Sequence, residues 1–236
     1  MSRFQKFFLS SILVLTLLGG GVVAYKHPYK WRSAVPPVLT HGNPKYVQVR
    51  ASHMLAFLDS DGQPEVYCSG TVLGPHAILT AAHCNNDSQD SKAVNIDRSL
   101  RAYNLIASSY DGRDHVIILV DGPAFTDIAP YVVRPPKAGE IVFVEGFGEE
   151  VYPAVEKVGR VTGSYDPSEV DKEQKLFYFN NAVIHGDSGA AVYGLDGAIL
   201  GVVTWHIPGD TGAGYELNYA PKIIHNAQTF DGKDSF

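Results

Sequence analysis

The 236-residue chain is 45% hydrophobic and carries 23 glycines and 14 prolines, which supplies apolar material for one large all-β domain or two small ones and excludes wholesale disorder. Its formal net charge of −6 excludes nucleic acid as a main partner, because a phosphate backbone demands a basic surface. So much glycine and proline favours short strands and turns over long helices.

The chain begins with Arg3 and Lys6 ahead of the apolar run FFLSSILVLTLLGGGVVAY. A basic start followed by an apolar stretch and small residues is the pattern of a secretory signal peptide, with Ala24 as the last residue removed. The run also approaches membrane-spanning length, so residues 1–24 read as a signal peptide or a membrane anchor. Lys26, Lys30 and Arg32 follow it and oppose export. Both readings nonetheless put the remaining chain outside the cytoplasm: secreted, periplasmic, or anchored with the domain outside. Residues 25–45, rich in proline and without an apolar period, read as a linker or short pro-segment.

From Tyr46 onward the pattern is one of short strands between turn signals. SHMLAFL leads into a turn centred on Asp61-Gly62, then come VYCSGTVL, a Gly-Pro turn and HAILTAA. The polar stretch NNDSQDSK after Cys84 reads as a solvated loop, with a calcium loop using Asp87 and Asp90 as its alternative. RAYNLIASSY and HVIILV follow, each closed by an Asp-Gly turn. RPPKAG makes a natural crossover, and the second half continues with EIVFVEGFG, VEKVGRVTGSY, KLFYFNNAVI, GAAVYGL, AILGVVTW and GAGYELNY. This spacing belongs to all-β sandwiches or barrels. Helix is expected only briefly after Cys84 and in PKIIHNAQ near the end, and no internal repeat is visible. One domain over residues 46–236 is expected, with a first β unit at about 46–122 and a second at about 123–220.

ILTAAHC, residues 78–84, ends an apolar strand in a histidine and a cysteine. An isolated histidine beside apolar residues is ordinarily a satisfied core residue, so His83 becomes a catalytic base only if the chain supplies a nucleophile, an orienting carboxylate and an oxyanion site. HGDSGA offers the first, though by itself GDSG reads equally as a surface turn: glycines flanking Ser188 permit a tight backbone in which the amides of Gly186 and Ser188 could converge as an oxyanion hole. Cys68 and Cys84 are the only cysteines and bracket a hairpin-like path, so in an exported chain they should pair and pin the backbone beside His83. For the carboxylate there are two candidates. Asp114 precedes the clean strand HVIILV, whereas Asp127 is soon followed by Pro130, which spoils a central strand; Asp114 is preferred.

CSGTVLGPHAILTAAHC, DHVIIL, GFG and GDSG, in that order, resemble the trypsin-like (chymotrypsin-fold) serine proteases from about Tyr46 to about Tyr219. The resemblance implies two antiparallel six-stranded Greek-key barrels with the active site in the cleft between them. It implies Ser188 as nucleophile, His83 as general base, Asp114 as orienting carboxylate, and Gly186 with Ser188 as oxyanion donors. Asp187 matches the buried aspartate that steadies the oxyanion loop, and VVTWH matches the strand along which extended substrate adds. Thr204 and Trp205 would therefore border the primary pocket, with Ala182 and Val183 at its floor.

The chain also departs from that family. It lacks the Ile-Val-Gly-Gly start whose new amino terminus pairs with the aspartate matching Asp187. Cleavage after Lys45, an internal basic partner for Asp187, or no zymogen step at all are the open alternatives. The residue six positions before the nucleophile is Ala182, not the aspartate of enzymes that select basic side chains. A pocket without fixed charge cannot offset desolvation of arginine or lysine, so an apolar or small residue before the scissile bond is expected, with His185 and His206 near the rim as the basis of an acidic alternative. The functional expectation is an exported serine endopeptidase, a monomer acting on polypeptides without metal or cofactor. The alternative is a protease-like binding protein without the chemistry. A zinc hydrolase using His83, His185 and His206 lacks any HExxH spacing, and an α/β-hydrolase esterase would need alternating helices.

Overall fold

Runs of β-branched and aromatic residues, cut by glycine, proline and aspartate turns, form twelve strands among the residues described by the computed structural model, 44–86, 92–99, 101–165, 175–207 and 211–233. The apolar leader, most of the linker, and the loop carboxylates Asp87 and Asp90 lie outside these residues. The first barrel contains β1 (Ser52–Leu58), β2 (Pro64–Gly74), β3 (Ala77–Ala81), β4 (Ala93–Ile96), β5 (Ala102–Tyr110) and β6 (His115–Val120). The second contains β7 (Ile141–Gly146), β8 (Val155–Tyr165), β9 (Leu176–Phe179), β10 (Ala191–Gly194), β11 (Ile199–Ile207) and β12 (Thr211–Tyr215).

Both sheets close, in the orders β1-β2-β3-β6-β5-β4 and β10-β11-β12-β9-β8-β7. Read from β7, the second order is that of the first, so the topology repeats although the sequence shows no repeat. Every pairing between named strands is antiparallel, and closure through β1–β4 and β7–β10 leaves neither sheet an open edge.

The barrels share buried surface. Leu55, Phe57, Val72, Leu79 and Ile118 form one apolar cluster with Phe143, Tyr193, Ile199 and Val202 of the second barrel. Val142, Val144, Phe177, Phe179 and Leu200 fill the second barrel's own interior. Each such side chain contributes roughly 1.5–3 kcal/mol on leaving water. Strand β6 is buried along its whole length, whereas β5 alternates, because only β6 has protein on both faces.

Two elements differ from the sequence pattern. YVQVR alternates like a strand, yet Pro44–Ala51 is a helix, α1. Pro44 opens it, where a missing N–H costs nothing, and buried Gln48 donates through Nε2 to the Gly197 carbonyl at 3.1 Å. The Ser52 hydroxyl closes the last turn by donating to the Gln48 carbonyl at 2.9 Å. Strand β4 is the second difference. Its four residues show too short an alternation to stand out, but Val94 and Ile96 are buried and the strand joins β1 to β5. The short helix α2 (Ala82–Asn86) falls around Cys84, and α3 (Pro221–Thr229) coincides with PKIIHNAQ, seating Ile224 and Ala227 against the first barrel.

Candidate active site

Strand register places His83. Ala81 at the end of β3 lies opposite His115 at the start of β6, so the residues just beyond them, His83 and Asp114, meet at one rim of the first barrel. Asp114 adopts a left-handed backbone (φ 62°), which turns its carbonyl toward the Ala82 amide at 2.9 Å and its carboxylate toward His83. Oδ1 accepts the His83 backbone N–H at 2.9 Å, and Oδ2 lies 2.9 Å from Nδ1 of the ring. The carboxylate thus holds both the backbone and the imidazole, the latter through Nδ1. Asp127 is elsewhere, its Oδ2 bound to Arg50 at 3.2 Å. The structure brings Asp114, not Asp127, to the histidine.

Behind Asp114 lies a second acid–histidine pair that no motif signalled. Asp111 and His115 have fully buried side chains, with Oδ2 of the acid 2.7 Å from Nδ1 of the ring. Asp111 also accepts the Arg113 amide at 2.9 Å and the Asn218 amide at 2.9 Å. Burial opposes ionisation of Asp111, but the hydrogen bond and charge of His115 and the two amides outweigh it and hold the carboxyl below its ordinary range. The loop carrying Asp114 is therefore fixed from behind.

Cys68 and Cys84 are joined, with their Cα atoms 6.3 Å apart. The bond ties α2, and with it His83, to β2. Ser69, next to Cys68, reaches the other side of the cleft: its amide donates to the Ser188 carbonyl at 2.7 Å and its hydroxyl to the Gly186 carbonyl at 2.8 Å. Thr80 Oγ1 in turn donates to the Ser69 carbonyl at 2.7 Å. One short stretch of β2 therefore links the histidine segment covalently and the serine loop by hydrogen bonds. Ser69 was legible only as part of CSG, with no role attached.

Ser188 sits between β9 and β10 on a loop that Gly186 turns with a φ of 94°, a conformation that a Cβ would strain. Both Gly186 and Ser188 direct their carbonyls to Ser69, and among the described residues neither of their amides donates a hydrogen bond. After Ser188 the chain locks onto β11, Gly189 N–H donating to Val203 O at 2.8 Å. Asp187 is fully buried. Its Oδ1 accepts the Gly148 amide at 3.0 Å, its Oδ2 accepts the Ile184 amide at 2.8 Å, and Lys157 Nζ pairs with Oδ2. The GFG motif makes room for this carboxylate: a Cβ on Gly146 would stand 2.3 Å from Oδ1, and one on Gly148 3.0 Å from it.

Two adjoining hollows share Trp205, whose side chain is otherwise widely exposed. The larger, about 440 Å³, is lined by His83, Arg113, Asp114, Thr204, Trp205 and Tyr215. The smaller, about 190 Å³, is lined by Val183, Ile184, His185, Ser188, Val203, Trp205 and His206. Val183 and Trp205 border the hollow beside Ser188, Thr204 borders its neighbour, and Ala182 lines neither. His185 and His206 are exposed at the smaller hollow while His83 lines the other, so these three histidines do not form a metal-ligand cluster. The described residues do bring Cys68, His83 and Cys84 close together, but both sulfurs are bonded to each other and offer no thiolate.

Known proteins share this fold. A family model of the trypsin-like peptidase domain matches residues 68–202, a span that includes His83, Asp114 and Ser188. The serine protease VLSP-1 of Macrovipera lebetinus is 30% identical over 124 residues, which cover 43% of this chain and 48% of that protein. The chain thus spans about half the length of the curated relative it matches. Among solved structures, the active form of the Rv3671c protease of M. tuberculosis superposes with a TM-score of 0.60 at 20% identity, covering 73% of this chain and 78% of that one. The serine endoprotease from Yersinia pestis gives a TM-score of 0.60 at 16% identity, covering 80% of this chain and 66% of the other. At such identities these two speak for the double-barrel fold alone. With the family match spanning more than half of its residues, the chain belongs to the trypsin-like peptidase family.

Proposed function

We propose that this protein is an exported serine endopeptidase that hydrolyses peptide bonds through an acyl-enzyme, with Ser188 as nucleophile, His83 as general base and Asp114 as the orienting carboxylate. The observation that carries the reading is the His83–Asp114 contact at 2.9 Å lining one hollow while Ser188 lines the next. The domain runs over residues 46–236, behind a leader at 1–24 and a linker at 25–45. Export is supported by the apolar leader and by the Cys68–Cys84 bond, which persists in oxidising compartments. No described helix is long and apolar enough to cross a membrane.

In the proposed reaction the Ser188 hydroxyl attacks the scissile carbonyl carbon as His83 Nε2 takes its proton. The negative oxygen of the tetrahedral intermediate is bound by the amides of Gly186 and Ser188. His83 returns the proton to the leaving amine, the C–N bond breaks, and water activated by the same histidine releases the acyl group. Asp114 keeps Nδ1 protonated throughout and stabilises the transient imidazolium. The hollow beside Ser188 has Val183, Ile184 and Val203 in its wall and no carboxylate among its lining residues, which supports an apolar or small residue before the cleaved bond.

Incubation with a fluorophosphonate, followed by mass spectrometry of the labelled peptide, tests the proposal. Label on Ser188 is expected. A folded protein that resists labelling is instead the binding-protein alternative.

A further inference from the structure

We infer that Arg113 makes the larger hollow a subsite for a carboxylate, so that the protein selects Glu or Asp at the second residue before the cleaved bond. The inference rests on the endopeptidase reading above and adds to it a second selected position, read by a residue to which no motif gave a role.

The place of Arg113 is set at both ends of its side chain. It lies on the turn between β5 and β6, one residue before Asp114, and its amide donates to the buried Asp111 carboxylate at 2.9 Å. Its Nη1 donates to the Glu216 carbonyl at 3.1 Å, and the half-buried side chain lines the hollow with His83, Asp114, Thr204, Trp205 and Tyr215. A guanidinium held in this way loses less freedom on meeting a ligand than one on a loose side chain.

What the guanidinium lacks is a counter-charge. The Glu216 carbonyl satisfies one of its N–H groups but leaves its charge uncompensated. The carboxylate of Glu216 turns instead to Lys175 Nζ at 3.5 Å. Asp114 directs both oxygens to His83, and Asp111 is paired with His115. Among the described residues no carboxylate forms an ion pair with Arg113, whereas Arg134 is clasped by two, Glu140 and Asp196. A planar fork of donors beside a cleft, without an acid of its own, matches an incoming carboxylate.

The position that it reads follows from the two hollows. Ser188 lines the smaller one, so the side chain before the cleaved bond enters there, and the hollows adjoin at Trp205. Consecutive side chains of an extended peptide point apart, so the next residue back is directed to the hollow of His83 and Arg113. Asp114 lines that hollow too and repels an acid. Loss of the guanidinium should therefore remove the preference for Glu or invert it.

The test measures relative kcat/KM in the full chain by mass spectrometry of a competing peptide mixture. The peptides carry Glu, Gln or Lys at the second residue before the cleaved bond and all residues at the first. Ratios are taken within each protein, so a general loss of activity cancels. The wild type should favour Glu over Gln by about fivefold, the size of a well-formed, partly exposed ion pair, with Lys poorest. Raising the salt from about 20 mM to about 500 mM should reduce that preference to about twofold. Arg113→Gln should bring the ratio to one or below, Arg113→Lys should keep most of it, and Arg113→Glu should favour Lys. A wild type indifferent to Glu overturns the inference, as does an Arg113→Gln variant that keeps the preference. Should that variant fail to fold, a wild-type preference for Glu that ignores salt overturns it instead. Absence of all cleavage, with no fluorophosphonate label on Ser188, would overturn the endopeptidase reading itself.

Discussion

The two barrels share a topology but hold their halves of the site by different means. In the first, His83 and Asp114 lie just beyond paired strand ends, and a disulfide fastens the histidine segment to β2. In the second, Ser188 lies on a loop whose shape depends on a glycine at positive φ and a buried ion pair. The His83–Asp114 side is thus fixed by register and covalent bonding, and the Ser188 side by charge and backbone conformation. Chemistry on the first side should respond to which atoms are present; on the second it should respond also to what keeps the loop folded. Ser69 joins the two regimes, because its amide and hydroxyl are the contacts of β2 with the serine loop.

Removing the proposed reacting atoms gives the largest expected effect. Ser188→Ala should lower kcat by on the order of 10⁶ with little change in stability, and His83→Ala should be about as severe. The double variant should be hardly worse than either, because the residues act as a unit; additive losses in steady-state assays would break the proposed mechanism. Next comes the orienting acid. Asp114→Asn leaves the wrong imidazole tautomer and should reduce kcat by roughly 10⁴, whereas Asp127→Asn should change it only a few-fold. A severe loss at Asp127 would detach the site from the register that places Asp114.

The support behind Asp114 should show itself in stability. Asp111→Asn leaves His115 buried without its charged partner and should cost about 3–5 kcal/mol in urea unfolding at neutral pH. The sign with pH follows from the lowered carboxyl: its stabilisation is complete above the ordinary value of 3.8 and is lost as pH falls through the folded-state value. The difference between wild type and Asp111→Asn should therefore narrow only in that acid range. A gap that widened toward low pH would contradict this account.

Replacing both Cys68 and Cys84 by serine should cost roughly 3 kcal/mol, as expected for a loop of this size. Urea unfolding measures the loss, and peptide mapping without reductant should recover the two cysteines joined. The smallest effect concerns substrate choice. Peptides with Phe, Leu or another apolar residue before the cleaved bond should exceed Arg and Lys in kcat/KM by about tenfold or more. A peptide library varied at that position reads this directly, and dominant cleavage after Glu would transfer the selectivity to His185 and His206.

Much of this protein was determined locally and was legible as such. Apolar runs bounded by Asp-Gly turns marked SHMLAFL and HVIILV as strands, and those are the strands observed as β1 and β6. TAAHC and GDSG singled out His83 and Ser188 through the family resemblance, and Gly186 takes the positive φ that a tight turn beside Ser188 needs. Contacts between distant segments left no such trace. YVQVR alternates like a strand, yet α1 forms because Gln48 finds Gly197, 149 residues away. Strand β4 exists because a closed barrel needs a sixth strand between β1 and β5. Lys157 is one charged residue on an exposed-looking strand, and only barrel register brings it to Asp187, 30 residues on. Local pattern selects the elements because backbone propensity and turn chemistry act over a few residues. Tertiary structure selects the partners, because a buried charge or an unpaired strand edge is satisfied by whatever the closed fold places beside it.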